Sequence, residues 1–410
     1  MAQIKNPVTI VQGGSPTPTP TVEEKDINFY DYDGTLVESW TLAELPNKTA
    51  LPANPTHTGL TAQGWNWTLA DLQSEGAKMN VGQMYMPTDG KTHIFVEVDA
   101  EHLTPNLAIG LNGTAIVDWG DDTATTTFTG SSIDTGQNAY HTYAAAGSYE
   151  VTIEIPEGSE GQIRGNTSNN YVSFLWKGAD TQSALITKNK AYAAQVKKIY
   201  VGQRMNKVQT LNWFTKLEKI TLHNQNQFVS GWATFQNCYS LKYVVIPNSI
   251  TSIDTYIFAS CYSLKSIAIP SSVTSLSTRA FRDGAALKSI TIPSNVSNID
   301  SDAFEGCSVL EAVSGLEGIT SMNKIFRNCH NLSSFRVPAS VTSISSDTFA
   351  VGMDSFYLLD CSDCTSIPTA GSNLFGSATD GLIIKVPVAL EADWKATSGW
   401  STYASYIVGV

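Results

Sequence analysis

Apolar residues recur at a fixed spacing along the C-terminal half of the chain. A leucine and a phenylalanine each return every 22 or 23 residues, and an isoleucine, leucine or methionine keeps the same register. Each such series of residues at equivalent positions is called a ladder. Several ladders with the same period predict a solenoid, because one repeat cannot bury its own apolar face and must stack on its neighbours. The ladder residues are Leu241, Leu264, Leu287, Leu310 and Leu332; Phe235, Phe258, Phe281, Phe304, Phe326 and Phe349; and Ile253, Leu276, Ile299, Met322 and Ile344.

Each repeat is predicted to contain one short strand that a proline ends. In residues 264–269 the three large apolar side chains are expected to point inward, and Leu276 and Phe281 complete the wall of the core. Weaker copies of the pattern extend the predicted solenoid over residues 196–388. The strand-ending prolines are Pro247, Pro270, Pro293 and Pro338.

The repeats resemble the BspA-type leucine-rich repeats of surface proteins from gut and oral bacteria and of phage proteins. Residues 389–410 break the period and carry Trp394, Trp400 and Tyr403. Bulky apolar residues can cover the open end of the last coil, so this segment is predicted to be the C-terminal cap.

The stretch INFYDYDGTLVES at residues 27–39 has two interpretations. It matches the opening motif of haloacid-dehalogenase phosphatases, in which Asp31 would be the nucleophile and Asp33 the general acid. No alternation of helices and strands follows, although that fold requires it. Asp33 and Gly34 are also a favoured pair for a tight turn between two strands, so we expect a hairpin and no enzyme.

The residues around this hairpin resemble the Listeria–Bacteroides repeat of bacterial surface proteins. The shared pattern is a strand, DYDG, a second strand, the segment PANPTHTGLTAQGW and an aromatic closing position at Trp65. The resemblance implies a small β-grasp-like module, which we place at residues 26–90.

Residues 117–155 resemble the PKD domain, an immunoglobulin-like β-sandwich. The shared features are WGD at residues 119–121, HTY at residues 141–143 and the alternating strand GSYEVTI. The resemblance implies a sandwich at residues 91–156 with the tryptophan of WGD at its centre. Residues 157–195 are then expected to connect the sandwich to the solenoid and to form the solenoid's N-cap.

Residues 1–25 contain a short apolar arm and a linker in which proline and threonine alternate. Proline favours an extended, semi-rigid spacer. The apolar residues of the arm are candidates for docking to a larger particle, and a disordered tail is the alternative. They are Ile4, Val8, Ile10 and Val11.

The sequence offers no convincing grouping for catalysis or metal binding. The six histidines show no HxxxH or HxH spacing, and no nucleophile elbow or phosphate-binding loop occurs. Asp121 and Asp122 are interpreted as turn residues, and Cys361 and Cys364 lack the second ligand pair of a zinc site. We expect no catalytic residue, no metal and no cofactor. The other cysteines share one repeat position and are predicted to be buried thiols, with disulfides between coils as the alternative: Cys238, Cys261, Cys307 and Cys329.

Composition and charge argue against a nucleic-acid-binding protein and a membrane protein. Only 15% of the residues are charged and the net charge is −12, so the clustered Lys and Arg of a nucleic-acid-binding protein are missing. No apolar run is long enough to span a membrane, and the first residues lack a signal-peptide pattern. We expect no nucleic-acid partner, no membrane insertion and folding in the cytoplasm.

Solenoids present extended surfaces that bind proteins or glycans without chemistry. A row of outward lysines with small neighbours is a candidate site for an acidic ligand or a glycan, and a solvated basic edge is the alternative. Aromatic residues near the first coils form a second candidate patch. The predicted ligand-binding residues are Lys242, Tyr243, Lys265, Lys288, Tyr239 and Tyr262.

Taken together, these features predict a multidomain, mainly β, non-enzymatic virion protein of a phage, either a fibre or a receptor-binding protein. Its N-terminal arm would dock to other virion proteins, and its solenoid would bind a protein or glycan on the host surface. A homo-oligomer such as a trimer is expected, because repeated weak contacts add avidity. The alternative is a bacterial cell-surface adhesin built from the same modules.

Overall fold

The computed structural model describes residues 24–104, 106–163, 194–209, 211–228, 233–350, 352–376 and 381–410. In these ranges the protein is mainly β and contains a small N-terminal module, a nine-stranded sheet and a solenoid of the leucine-rich-repeat type. The longest helix in these ranges has seven residues, which is too short to cross a membrane.

The N-terminal module is a four-stranded sheet with one short helix. Its elements are β1 (Ile27–Tyr30), β2 (Leu36–Trp40), a 3₁₀ helix (Leu45–Asn47), β3 (Leu60–Trp65), α1 (Leu69–Glu75) and β4 (Met79–Pro87). The strand order is β2-β1-β4-β3, with β1 and β4 parallel and the two outer pairs antiparallel. Phe29 lies in the core of the module between the rings of Trp40 and Trp65.

The nine-stranded sheet joins the middle of the chain to the first coils of the solenoid. Its strands are β5 (Thr92–Val98), β6 (Asn106–Asp118), β7 (Thr126–Tyr140), β8 (Gly147–Glu154), β9 (Glu160–Ile163), β10 (Val196–Tyr200), β11 (Met205–Val208), β12 (Lys219–Thr221) and β13 (Gln227–Phe228). The order is β12-β10-β5-β8-β6-β9-β11-β13, and β7 pairs with β6. Because β5 pairs with β10 and β9 with β11, the sheet covers the otherwise open strand edges of the first coil.

The sheet and the solenoid share one hydrophobic core, which extends from Ile94 to Ile407. Trp119, which follows β6, is buried in this core. The described part of the segment at 157–195 contributes β9 to the sheet, and residues 164–193 lie outside the described ranges. The first coil is therefore covered by strands that come from earlier in the chain.

The predicted solenoid is confirmed, and each coil contributes two very short strands. They are β14 (Tyr243–Val245), β15 (Ser252–Ile253), β16 (Ser266–Ala268), β17 (Ser275–Leu276), β18 (Ser289–Thr291), β19 (Asn298–Ile299), β20 (Ala312–Ser314), β21 (Ser321–Met322), β22 (Ser334–Arg336), β23 (Ser343–Ile344), β24 (Leu358–Asp360), β25 (Thr369–Ala370) and β26 (Ile383–Val386). The strand predicted at 264–269 is shorter in the structure, because Leu264 still donates a turn hydrogen bond to Cys261.

The phenylalanine ladder stacks along the axis of the solenoid. The ring centroids of Phe235, Phe258, Phe281 and Phe304 follow each other at 5.4, 5.6 and 5.5 Å with nearly parallel planes. This spacing is close to that of hydrogen-bonded strands, so the backbone and the rings keep one register. Each of these phenylalanines therefore packs against its counterparts in the neighbouring coils.

The chain ends in a segment that closes the last coil. It contains a 3₁₀ helix (Val388–Leu390), α2 (Glu391–Ala396), a second 3₁₀ helix (Ser401–Tyr406) and β27 (Ile407–Gly409), which pairs with β26. Trp394 and Trp400 are fully buried, and the indole N–H of Trp400 donates to the carbonyl of Pro368 at 2.7 Å. These two indoles fill the space that another coil would occupy.

The ladder cysteines are buried free thiols in the structure. Each Sγ donates to a carbonyl of the preceding coil, as Cys261 does to Phe235 at 3.1 Å and Cys307 to Phe281 at 3.2 Å. Burial raises the pKa of both thiols to about 12. A buried, protonated thiol is a poor nucleophile.

We therefore expect Cys261 and Cys307 to react with a thiol-specific reagent only after the protein unfolds. Mass spectrometry of the protein labelled at pH 8, before and after addition of denaturant, measures this directly. The same experiment tests the disulfide alternative, since a disulfide between coils would leave these cysteines unlabelled in denaturant until a reductant is added. Rapid labelling of either residue in the native protein would contradict the buried ladder.

Candidate ligand-binding cleft

The outward side chains of the solenoid strands change character along the array. In the parallel pair β14 and β16, Tyr243 lies opposite Ser266 and Val245 opposite Ala268. The middle residue of each strand points into the core, so these four lie on the outer face. The side chains on this outer face are mostly apolar at β14 and β16, whereas two coils later they are small and mostly polar. The equivalent residues of β18 and β20 are Ser289, Thr291, Ala312 and Ser314.

The N-terminal module docks on the apolar part of this outer face. Tyr30 and Met84 pack with Tyr243, Val245 and Ala268 in a cluster of their own. The ring centroids of Tyr30 and Tyr243 are 5.4 Å apart. Tyr243 is only 2% exposed as a result, although it stands on the outside of the solenoid.

Hydrogen bonds fix the docked module along one side of the solenoid. The amide nitrogen of Asn66 donates to the carbonyls of Ile246 and Ala268 at 3.2 and 3.1 Å. The indole nitrogen of Trp67 donates to the carbonyl of Ile269 at 2.9 Å. All three carbonyls lie at the ends of the outer-face strands, so side chains that follow β3 hold two successive coils.

Two charged contacts attach the module to a later and to an earlier coil of the solenoid. The carboxylate of Glu75 accepts hydrogen bonds from the backbone N–H and the hydroxyl of Ser294, both at 2.7 Å. Lys219 Nζ lies 3.0 Å from the carboxylate of Asp33. Burial raises the pKa of Asp33, but hydrogen bonds from Thr35 and Lys219 outweigh it and hold the pKa below its ordinary value. Asp33 therefore docks as a carboxylate.

A cleft of about 750 Å³ lies beside the docked module. Lys25 and Lys78 belong to the wall that the module provides, and Lys265 and Lys288 belong to the wall that the solenoid provides. The solenoid also supplies a surface of small residues, mostly hydroxylated, between its lysines. These residues are Ser266, Ser289, Thr291, Ala312 and Ser314.

The lysines of the two walls differ in their ion pairing. Lys25 and Lys78 each pair with a carboxylate of the module itself, at 3.7 and 3.2 Å. Lys288 lies 4.0 Å from Glu311, and both side chains are largely exposed, so this pair is weak. Within the described ranges, no carboxylate lies at ion-pair distance from Lys265. The solenoid wall therefore holds the ammonium groups that remain available to a ligand.

An aromatic patch ends at this cleft. The rings of Tyr239 and Tyr262 stack with their centroids 4.9 Å apart, and Trp213 contacts Tyr239 edge-on at 6.2 Å. Tyr262 is 46% exposed. Its equivalent in the next coil is Ala285, which lines the cleft. The side chain of Tyr262 thus stands at the border of the cleft, next to a residue too small to cover it.

The structure distributes the predicted ligand-binding residues over three places. Lys265 and Lys288 line the cleft, Tyr262 lies one coil before the lining residue Ala285, and Tyr239 stacks on the side of Tyr262 away from the cleft. Lys242 does not line the cleft and pairs with Glu218 at 3.7 Å. The predicted docking residues Ile4, Val8, Ile10 and Val11 lie outside the described residues.

Tyr243 requires a correction. The sequence places it on an open binding surface, whereas the structure buries it under Tyr30. The physical reason is that Tyr243 and Val245 form an apolar patch on the outer face, and the module covers this patch. In the observed arrangement Tyr243 is an interface residue and is not accessible to a ligand.

The sequence pattern did not indicate Lys25, Lys78 or the docking role of Val245. A signal for the docking site was present, because the segment YVVI at residues 243–246 is apolar on both faces of its strand. Continuous apolar strands are typical of sheets that are covered on both sides. Lys25 and Lys78 gave no comparable signal, since isolated lysines occur on every protein surface.

The acidic residues of the DYDG motif hold the predicted hairpin together. β1 and β2 pair antiparallel on either side of Asp33 and Gly34. The carboxylate of Asp31 is buried and lies 2.6 Å from His57 Nε2. The backbone N–H of Thr35 donates to Asp33 at 3.0 Å. Both carboxylates are thus engaged by neighbouring groups of the protein.

The other residues considered for metal binding also contact protein groups. His141 Nε2 lies 2.7 Å from Asp121, and its imidazole stacks on Trp119 with the ring centroids 4.9 Å apart. Cys361 and Cys364 are buried free thiols. In the part of the chain that the structure describes, no three or more His, Cys, Asp or Glu side chains are grouped for a metal ion.

Comparison with known proteins agrees with the repeat pattern. Residues 231–353 match the BspA type leucine rich repeat region in six copies. No curated protein matches the chain in sequence.

Among solved structures, a leucine-rich repeat protein from Bacteroides ovatus is 22% identical, with 57% of this chain and 68% of that one covered and a TM-score of 0.35. The T. pallidum leucine rich repeat protein is 20% identical, with 49% and 89% covered and a TM-score of 0.33. A leucine rich cell surface protein from Faecalibacterium prausnitzii is 19% identical, with 58% and 87% covered and a TM-score of 0.30.

Proposed function

We propose that this protein is a non-enzymatic binding protein of a bacterial cell surface, an adhesin, that holds its ligand in the cleft between the module and the solenoid. The observation that carries the proposal is the cleft itself. It offers an accessible volume of ligand size, ammonium groups on the solenoid wall and hydroxyl groups between them. These groups can bind an anionic or hydroxylated ligand without transforming it.

Among the described residues that line the cleft, no nucleophile is paired with a general base, and this supports a binding role. Among the described residues that line it there is no histidine and no cysteine. A hydroxyl nucleophile needs a neighbouring general base, and the carboxylate–histidine pair of the module, Asp31 and His57, joins the hairpin to the segment before β3 and does not line the cleft. The carboxylates that do line the cleft, Glu24 and Asp26, lie on the module wall, where Tyr30 and Lys78 engage them.

The BspA-type repeats favour the cell surface over a phage particle. These repeats match residues 231–353, and the pattern resembles that of surface proteins from gut and oral bacteria. The apolar arm that would dock to a virion lies outside the described ranges. We therefore propose the adhesin as the primary function and a host surface protein or glycan as its partner.

We also propose that the two N-terminal units derive from surface-protein modules. The strand order β2-β1-β4-β3 with a parallel central pair supports a β-grasp-like module of the Listeria–Bacteroides type at residues 26–90. The contacts of Trp119 with His141 and Tyr143 support a PKD-like unit at residues 91–156. In this arrangement the first module is a docked wall of the binding cleft.

The proposed location is tested with an antibody against residues 196–410. Immunogold labelling of intact source bacteria and of phage particles from the same culture is expected to mark the cell envelope. Gold label at discrete points of the phage particles, together with unlabelled bacterial envelopes, would contradict the proposal and support the virion hypothesis.

The proposed adhesion is tested with microspheres coated with the full chain. We expect them to bind epithelial monolayers or mucin-coated surfaces several-fold more than albumin-coated microspheres do, and soluble full chain is expected to compete. Binding no greater than that of albumin-coated microspheres on both surfaces would contradict an adhesive function.

A further inference from the structure

The position of Tyr262 leaves one face of its ring open. Tyr239 covers the other face, with the ring planes inclined by only 18°. The coils keep their register at this turn, since the N–H of Ser263 donates to the carbonyl of Tyr239 at 3.1 Å. The residue equivalent to Tyr262 in the next coil is Ala285, whose methyl group cannot cover an aromatic ring. An aromatic face is thus presented along the solenoid toward the cleft.

Two ammonium groups follow this aromatic face at a fixed offset. Lys265 comes three residues after Tyr262, and Lys288 comes three residues after Ala285, so both stand where a turn meets an outer-face strand. Lys265 has no carboxylate at ion-pair distance among the described residues, and Lys288 has only the weak contact with Glu311. Positive charge is therefore available beside the ring, although the whole chain carries a net charge of −12.

Hydroxyl groups complete the surface between the lysines and the module. Thr291 and Ser314 are hydrogen-bonded to each other through their side chains at 3.2 Å, and Ser266 and Ser289 line the same cleft. A hydroxyl both donates and accepts hydrogen bonds, so these groups match the hydroxyls of a sugar. The solenoid wall of the cleft thus combines two ammonium groups and several hydroxyls, and the ring of Tyr262 lies one coil before Ala285 of the same wall. The carboxylates of the cleft, Glu24 and Asp26, belong to the opposite wall.

An acidic peptide fits this surface less well than a sugar does. An extended peptide usually binds by pairing with free backbone groups at a sheet edge. Here the N–H groups of Lys265 and Glu311 already donate to the preceding coil, at 3.1 and 2.7 Å. An acidic peptide would engage the lysines but would have no flat apolar surface to place on Tyr262. A pyranose ring has such a surface in its C–H face.

We propose that the cleft binds a carboxylated saccharide, a uronic or sialic acid unit of a polysaccharide. The C–H face of the sugar packs on the ring of Tyr262, and its carboxylate pairs with Lys265 and Lys288. The hydroxylated surface holds the remaining sugar oxygens. This inference rests on the proposed adhesive function and specifies its ligand.

The test measures the affinity of the immobilised full chain for polygalacturonate and polysialic acid by biolayer interferometry. Uncharged galactan and poly-glutamate serve as comparison ligands. We expect at least one carboxylated saccharide to bind, and both comparison ligands to bind at least about tenfold more weakly. Raising the salt concentration from about 0.05 to about 0.5 M is expected to weaken binding, because the lysines are exposed.

Variants separate the contributions of ring and charge. Tyr262→Ala is expected to weaken binding about tenfold and Tyr262→Phe by less than about twofold, since only the ring face is used. The double variant Lys265→Gln/Lys288→Gln is expected to weaken binding by more than about tenfold. Its matched control is Lys216→Gln/Lys385→Gln, which removes two lysines of the solenoid outside the cleft and is expected to retain binding.

Each other outcome overturns the inference. Equal binding of poly-glutamate, unaffected by Tyr262→Ala, would identify an acidic peptide as the ligand. Equal binding of galactan would exclude recognition of the carboxylate, and no binding of either carboxylated saccharide would exclude the ligand class. If the coated microspheres still adhere in any of these cases, the proposed function stands and only its ligand is wrong.

Discussion

Replacing Phe281 with alanine is expected to lower the free energy of unfolding by about 3–5 kcal/mol, the usual cost of truncating a buried phenylalanine. The ring is 1% exposed and lies between Phe258 and Phe304, with centroids 5.6 and 5.5 Å away. The cavity cannot close easily, because the hydrogen bonds between coils fix the spacing of the two neighbouring rings. The loss should be visible in urea unfolding followed by circular dichroism.

A matched control for this substitution is Tyr357→Ala. Tyr357 is also an aromatic residue of the solenoid, but it is 50% exposed. Removing an exposed side chain usually changes the free energy of unfolding by less than about 0.5 kcal/mol. Equal losses in the two variants would show that the phenylalanine ladder does not stabilise the coils through packing.

Replacing Gly82 with alanine is expected to detach the N-terminal module from the solenoid. A Cβ atom at this position would lie 2.6 and 2.7 Å from the two γ-carbons of Val245 and 3.0 Å from the Cβ of Ala268. Valine is stiff about its first side-chain torsion, so it cannot turn away without strain. Overpacking of this kind costs about 1–3 kcal/mol, and this cost shifts the equilibrium of the module toward the released state.

The double variant Gly82→Ala/Val245→Ala tests whether the clash is local. Shortening Val245 removes both contacting γ-carbons, so docking should recover at least in part. The measurements are small-angle scattering, in which release raises the radius of gyration, and hydrogen exchange of residues 243–246. An unchanged scattering curve and unchanged exchange in Gly82→Ala would contradict the close packing of β4 on the solenoid.

Much of the candidate site could be predicted from sequence because the solenoid is periodic. The spacing of Tyr239 and Tyr262, and of Lys265 and Lys288, is one repeat, so each pair is placed side by side once the period is known. The period also predicts that Tyr262 has a small neighbour at Ala285. These inferences need only the repeat, since each coil contacts little beyond the coils on either side.

The cleft could not be predicted in this way. It exists because a module of residues 24–87 folds back onto coils that lie about 150 to 220 residues later in the chain, as in the contact of Asn66 with Ile246. No period relates these segments. The apolar outer face of YVVI indicated that something covers Tyr243, but it could not indicate which part of the chain does so.

The sequence by itself determined the solenoid, its register and the hairpin at Asp33 and Gly34, because repeated apolar positions and favoured turn residues act over short distances along the chain. Only the tertiary structure decided that the sheet of β5 to β9 closes the first coil and that the module covers Tyr243. Both depend on surfaces that are complementary in shape and hydrogen bonding but distant in sequence. Such complementarity arises only after each unit has folded, so no local pattern of residues records it.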